Sequence, residues 1–417
     1  MMTNRDIQAA WNYHEGTKHS LLSLRSGGHY LDWSNHPLAF KIYSTLDPIP
    51  LPRDFDPLQM SALEAARSLE VPPSDQRLPD RKMLAQVLHF SAGITKRRTY
   101  PGGEIFFRAA ACTGALYSIE LYLVTGDLAD LEAGVYHFGP GDFSLRKLRA
   151  GDFRRLVVRA SGEEPSVAHA PVILVSTGTY WRNAWKYQAR TYRHFGWDNG
   201  TILANMMATA AGLSLPTRVV NGFVDGEVNP LLSLDTDREV ALSLVSLGYD
   251  SQSPREHTGE ISSLELETVP LSRKEVDYPA MREMHAASCL RSAAEVIAWR
   301  GQTPKNEPPS RTGRIVPLEP LTAGDAPPDP VDRVILRRGS ARRFTQKSIH
   351  FAQLSTLLHR ATQGFSSDFL DPAGTLLNEL YLIVHSVEGL PAGAYVLHRN
   401  DCVLECLKEG DFRREAG

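Results

Sequence analysis

Apolar residues recur with helical period most clearly over Arg81–Gly93, RKMLAQVLHFSAG, where Met83, Leu84, Val87, Leu88 and Phe90 share one face. The pattern predicts an amphipathic helix with Gly93 as the residue just past its end. A second helix is predicted over Gln59–Leu69, ahead of Pro72-Pro73, which cannot continue it. Ser118–Val124 has the pattern of a strand, and Gly134–Phe138 with Phe143–Leu148 that of a hairpin. The short apolar run Val172–Thr177 suits a buried strand. From about Gly200 to Ala211, the residues Ile202, Leu203, Met206, Met207 and Ala210 repeat at helical spacing behind Asp198 or Asn199 as cap. That helix is apolar nearly all round, which predicts a central position. Arg218–Val224 and Glu239–Gly248 read as two further strands. Residues 1–60 are polar and weakly periodic, an arm that wraps a neighbour, and 302–332 form a proline-rich linker.

The chain also repeats itself. Glu120, Leu121, Tyr122 and Leu123 recur as Glu379, Leu380, Tyr381 and Leu382. Ala133, Gly134 and Tyr136 recur as Ala392, Gly393 and Tyr395, and GDFRR at 151–155 recurs at 410–414. The offset is 259 throughout, and a fixed register of this kind dictates architecture. A length of 417 residues exceeds what one core usually supports. The expected division is an arm (1–60), a first copy (61–265), a helical segment with linker (266–332) and a partial second copy (333–417). Whatever follows GDFRR in the first copy has no counterpart in the second.

A net charge of −3 gives no reason to expect nucleic acid or an anionic membrane as partner. Four scattered cysteines do not make a disulfide framework and fit a reducing compartment. The first residues contain no apolar signal-type stretch, and no run of about 18 apolar residues occurs. A cytoplasmic protein is expected. No metal is expected either, because His14, Glu15 and His19 lack zincin spacing and Cys402 with Cys406 lacks partner ligands.

Three stretches carry candidate chemistry. In RRGSARRF, Arg337, Arg338 and Arg342 with Ser340 offer guanidinium forks and a hydroxyl to a phosphate dianion, or else a solvated basic helix start. The small residues from Ala109 to Ala115 let a backbone approach something flat or phosphorylated. Lys186 and Tyr187 can supply a tuned base, or else Lys186, Arg190 and Arg193 form a solvated basic face with Tyr187 and Tyr192 packed.

Taken together, YHEGTKHS with FKIY, HFSAGIT followed by RAAACTGALYSIELYLV, WKYQARTYRHFGWDNGTILANMMATAAGLSL, and RRGSARRF resemble a SagB-type dehydrogenase of the nitroreductase-like flavoprotein superfamily in its tandem form. The resemblance implies an α+β fold, a mixed sheet flanked by helices, duplicated as a pseudo-dimer with an incomplete second copy. It implies FMN between paired copies, with the flavin carrying the chemistry. Arg108, Cys112, Gly114, Arg338, Ser340 and Arg342 would contact the cofactor, and Lys186 and Tyr187 would transfer the proton as an azoline ring in a peptide or related small substrate is dehydrogenated. A homodimer is expected. The chain departs from the family at Ala111-Cys112, where Pro-Ser is usual, at Ser118, where proline is usual, and at PPSDQRLPDRK, where an Arg-Arg-x-Ser-x-Arg segment is usual. Two other readings stay open: a non-catalytic binding or scaffold member of the fold, and a nitro or quinone reductase.

Overall fold

Asp6 accepts a hydrogen bond from the Ala9 amide at 2.9 Å and so caps the first helix, α1 (Ile7–Thr17). The computed structural model describes residues 6–25, 28–66, 75–101, 103–256, 261–262, 264–301, 310–322, 324–370 and 377–416. After α2 (Leu21–Arg25) the arm runs to β1 (Pro48–Pro50), which pairs with the edge of the main sheet. The helix expected over 59–69 begins only at α3 (Ala62–Ala65), because Ser61 and Glu64 form a capping box there. Its expected end falls outside the described residues.

α4 (Arg81–Ala92) matches its predicted span, with Asp80 capping through the Met83 amide at 2.7 Å. Gly93 follows it, yet with φ −69° rather than a left-handed turn. Glycine is needed there because a Cβ would lie 2.6 Å from the His89 carbonyl oxygen. The chain then makes a ribbon, β2 (Ile94–Tyr100) and β3 (Gly103–Arg108), before entering the main sheet at β4 (Ile119–Thr125). β5 (Gly134–Gly139) and β6 (Ser144–Ala150) form the predicted hairpin. There follow α5 (Arg154–Ala160), α6 (Pro165–Ala168), β7 (Val172–Thr179), α7 (Tyr180–Tyr187), α8 (Thr191–Gly212), β8 (Thr217–Val220), α9 (Asp225–Leu231) and β9 (Glu239–Leu247).

The main sheet has the order β1-β6-β5-β4-β7-β9-β8, with every neighbouring pair antiparallel. The alternation along β4 sends Leu121 and Leu123 to one core and Tyr122 and Val124 to the other. The first core is closed by α4 and α8 through Leu84, Leu88, Ile202 and Met206, the second by α5 and α9 through Val157 and Val228. The parallel component of the expected mixed sheet comes from the second copy, where Ser367 bridges Val219 at the β8 edge.

Three expectations change here. α8 starts at Thr191, so Asp198 and Asn199 lie inside it rather than capping it. Asp198 spends its carboxylate on a neighbouring loop instead, and the helix runs on through it. Nor is α8 apolar all round: Gly196, Trp197, Gly200, Thr201 and Ala204 form an exposed stripe. β8 is also shorter than predicted, because the Asn221 and Gly222 amides turn away to donate to Asp368 at 2.8 and 3.0 Å.

Beyond the main sheet lie α10 (Pro279–Ser288), α11 (Ala293–Trp299), β10 (Arg314–Pro317), α12 (Val331–Arg337), β11 (Ile349–His350), α13 (Phe351–Ala361), β12 (Leu380–Val384), β13 (Val387–Glu388), β14 (Gly393–His398), β15 (Val403–Glu409) and α14 (Arg413–Ala416). The second sheet, β10-β15-β14-β12, reproduces β1-β6-β5-β4 strand for strand. Its register is the same as well. Tyr122 faces His137 as Tyr381 faces Val396, and Gly134 faces Ala150 as Gly393 faces Glu409. Both copies carry a bulge at Val135/Tyr136 and at Ala394/Tyr395. Tyr136 and Tyr395 each donate to the carbonyl four residues back, Glu132 and Pro391, at 2.7 and 2.8 Å. The proline-rich stretch expected as a linker contributes β10, an edge strand in which Pro317 is tolerated at the end. The copies meet where Val331 and Ile335 of α12 pack with Leu58, Phe90 and Ala109.

Candidate functional site

The loop from Ala109 to Ser118 joins the ribbon to β4 and is held in an unusual conformation. Gly114, Ala115 and Tyr117 have φ of 65°, 55° and 52°. Left-handed backbone at non-glycine residues costs energy that the surroundings must repay. Asp198 does so from inside α8, accepting from the Thr113 amide and hydroxyl at 2.8 Å each and from the Cys112 thiol at 3.1 Å. Thr201 donates to the Ala111 carbonyl at 2.7 Å, and Arg182 donates to the Tyr117 carbonyl at 2.8 Å.

Cys112 is thus engaged within the loop. Its sulfur also receives the Tyr117 amide at 3.0 Å, and burial together with the Asp198 charge pushes its thiol well above the usual range. Burial raises the Asp198 pKa as well, against the pull of the donors around it. Arg108, expected at the cofactor, is 4% exposed and donates to the Ala39 carbonyl at 2.7 Å. Its guanidinium lies 4.8 Å from the Tyr117 ring centre and 5.5 Å from that of Phe40, while its Nε has no hydrogen-bond partner among the described residues. Burial lowers it to about 10, which leaves it charged at neutral pH.

The structure brings the two predicted regions of the first copy together. A Cβ on Gly114 would lie 2.9 Å from the Tyr187 hydroxyl, so that hydroxyl sits directly against the glycine. Lys186 Nζ is 5.3 Å from the Tyr187 ring centre. His194 meets the same ring edge to face at 4.6 Å and bonds Asn183 Oδ1 through Nδ1 at 2.8 Å. Burial, with nearby arginines, lowers His194 to about 4, so it is neutral. Arg190 and Arg193 are not a solvated face. Arg193 donates to Thr17 Oγ1 at 3.0 Å and the His14 carbonyl at 2.9 Å, which ties α1 to α8.

The second copy reaches this loop through Arg338, whose Nη2 donates to the Ala109 carbonyl at 3.0 Å. Ser340 and Arg342 follow in an exposed irregular segment, and Arg337 pairs with Asp329 at 2.9 Å instead. The enclosed space beneath the loop is only about 10 Å³, lined by Ala92, Arg108, Ala111, Cys112, Asp198 and Ile202. On the outer side Ala111, Gly114 and Ala115 are exposed.

Sequence reasoning missed a buried polar network behind the loop. Arg182 and His137 reach Glu120 at 2.5 and 3.0 Å, and Lys41 reaches Glu239 at 2.7 Å and the Tyr122 hydroxyl at 2.9 Å. Burial opposes ionisation of Glu120, but Arg182, His137 and Arg108 outweigh it and hold the carboxyl well below its usual range. The available signal was a glutamate at the head of each of two otherwise apolar strands, Glu120 and Glu239. The repeat does not carry this feature over, since Glu379 is exposed.

Residues 74–249 match the family model described as Nitroreductase family. The nitroreductase-type protein MJ1384 of Methanocaldococcus jannaschii is 26% identical over 165 residues, 40% of this chain and 78% of that protein. The trifolitoxin-processing protein TfxB of Rhizobium leguminosarum bv. trifolii is 29% identical over 167 residues, 39% of this chain, and the match spans only 45% of that protein. A crystal structure of a nitroreductase-type protein from Anabaena variabilis superposes with TM-score 0.69 at 21% identity, over 98% of this chain and 80% of that one. The fold is nitroreductase-like, and among the described residues no helix is long and apolar enough to cross a membrane.

Proposed function

From a nitroreductase-family match over residues 74–249, we propose that the chain is an FMN-dependent oxidoreductase that dehydrogenates an azoline-type ring in a peptide or related small substrate. The observation that carries this reading is the meeting of three elements. Arg338 of the second copy touches the small-residue loop of the first, and Tyr187 stands against Gly114 of that loop.

The residues fit a phosphorylated flavin in their donor chemistry. Arg338, Ser340 and Arg342 supply guanidinium and hydroxyl donors suited to a phosphate, and Arg108 Nε is a buried donor without a described partner. Exposed Ala111, Gly114 and Ala115 offer a low surface for a flat ring, while the 10 Å³ beneath them cannot admit one. FMN, when bound, supplies the hydride acceptor. Cys112 acts by holding the loop rather than by touching the ring, since its thiol is committed to Asp198.

Oxidising an azoline removes a hydride and a proton. The proton is assigned to Lys186 Nζ acting as the free amine or Tyr187 Oη acting as the phenolate; Tyr187 Oη stands against Gly114, and Lys186 Nζ lies 5.3 Å from the Tyr187 ring centre. His194 packs edge to face on the Tyr187 ring, and Arg193 ties α1 to α8 on this side. The peptide substrate is favoured by the likeness to a protein named for toxin processing. A homodimer is favoured by the exposed α8 stripe around Trp197, which is 54% exposed.

The test is anaerobic incubation of the FMN-loaded chain with a thiazoline-containing peptide. Loss of the flavin's visible absorbance and a product lighter by two hydrogens are expected, and both should fail in Lys186→Ala and Tyr187→Phe. A second reading, a scaffold member without turnover, is favoured by the inward-turned Cys112. It gains if the chain binds FMN but no substrate bleaches it.

A further inference from the structure

α10 ends on His285, Ser288 and then Cys289, and Asp225 opens α9 directly opposite. A His285 ring nitrogen, Cys289 Sγ and an Asp225 oxygen all lie within 4.8 Å of one another, and His285 Nε2 is 3.7 Å from Asp225 Oδ1. Around tetrahedral zinc a nitrogen and an oxygen ligand lie roughly 3.3 Å apart and either lies roughly 3.5 Å from sulfur, given bonds of about 2.0 Å and 2.3 Å. The His285–Asp225 pair needs to close by about 0.4 Å and the pairs with sulfur by about 1.3 Å at most.

The surroundings are prepared for coordination. His285 Nε2 is buried without a hydrogen-bond partner among the described residues, which is costly for an imidazole nitrogen unless something occupies it. The opposite nitrogen, Nδ1, lies 3.2 Å from the Tyr192 hydroxyl. In the tautomer with the proton on Nδ1, His285 donates to Tyr192 and leaves the Nε2 lone pair free for a cation, the kind of supporting hydrogen bond a metal-binding histidine makes. The Leu290 amide takes Asp225 Oδ2 at 3.0 Å and leaves Oδ1 turned towards His285. His285 lies in the last turn of α10 and Cys289 is the extended residue just past its end.

All three residues line a cavity of about 610 Å³, which also meets Tyr180, Asn229 and Arg282. Burial disfavours each charged form here, raising Asp225 to about 6, lowering His285 to about 4 and raising the Cys289 thiol. A divalent cation reverses that balance for the carboxylate and the thiol.

We propose that Asp225, His285 and Cys289 form a Zn²⁺ site, with three protein ligands and a fourth position open to the cavity for water or an anionic ligand. One thiolate, one imidazole and one carboxylate suit zinc rather than magnesium or calcium, which take oxygen donors. The site is separate from the 108–118 loop, so it stands whether or not the flavin reading holds.

The test uses the full chain, freed of metal by chelator and titrated calorimetrically with ZnCl₂. One zinc per chain is expected. Cys289→Ser and His285→Gln should each weaken binding on the order of a hundredfold, while Cys402→Ser leaves it unchanged. Co²⁺ added to the unaltered chain should give a thiolate charge-transfer band that Cys289→Ser lacks, a readout that does not depend on the variants' stability. The absence of stoichiometric zinc, the absence of the cobalt band, or affinity lost through Cys402→Ser instead would overturn the assignment.

Discussion

Arg338 and Ala109 are 229 residues apart in sequence, and the guanidinium of one donates to the carbonyl of the other at 3.0 Å. The contact crosses from the second copy to the loop of the first. The second copy therefore helps to order the first copy's loop, whatever the loop binds. Arg338→Ala should speed amide hydrogen exchange selectively over Ala109–Thr113, since a hydrogen bond from a charged donor contributes about 1.5–3 kcal/mol. Unchanged exchange in that segment would mean that the contact does not order the loop.

Gly114 has no room for a side chain. Its φ is 65°, and a Cβ would fall 2.9 Å from the Tyr187 hydroxyl. Gly114→Ala should cost about 1–2 kcal/mol in backbone strain and displace Tyr187 besides. Thermal unfolding checks the first effect, and tyrosine fluorescence or crystallography of the variant the second. A variant as stable as the parent would contradict the packing described.

Glu120 is 1% exposed and compensates Arg182, whose side chain is fully buried. Glu120→Gln leaves that guanidinium uncompensated in the interior, which should destabilise the fold by about 3–5 kcal/mol. Replacing both, Glu120→Gln with Arg182→Met, should recover much of the loss. Denaturant unfolding of the single and double variants measures both.

Acid stability follows from His194. The histidine titrates at about 4 when folded against 6.5 when free, because burial and then Arg190 oppose its charge. Its contribution is fully present above pH 6.5 and is lost as pH falls from there to 4, because the unfolded chain takes the proton first. His194→Gln should flatten the fall in stability between pH 7 and pH 4, as seen in urea unfolding at each pH. An unaltered slope would contradict a buried neutral His194.

The fold was legible wherever a pattern was local. α4, the β5–β6 hairpin and β7 stand where periodicity put them, and the 259-residue offset survives as register and bulge in both sheets. What failed depended on contacts distant in sequence. Asp198 has the composition of a helix cap but serves a loop 85 residues away, which is why α8 begins at Thr191. The proline-rich stretch looked structureless because Pro317 cannot sit in a central strand, yet an edge position tolerates it. At the candidate site, sequence identified Gly114 and Tyr187 without their contact, and read Cys112 as a small buried residue without its bond to Asp198. The Asp225–His285–Cys289 group joins two helices whose distance in sequence hides it.

The central claim is that a flavin binds across the two copies, and titration of the full chain with FMN, followed by quenching of flavin fluorescence, tests it most directly. One FMN per chain is predicted, with affinity reduced about tenfold or more by Arg338→Ala and by Arg342→Ala, the loss expected for one charge-assisted phosphate contact. A chain that leaves FMN fluorescence unchanged, or that binds it equally well without both arginines, would contradict the account.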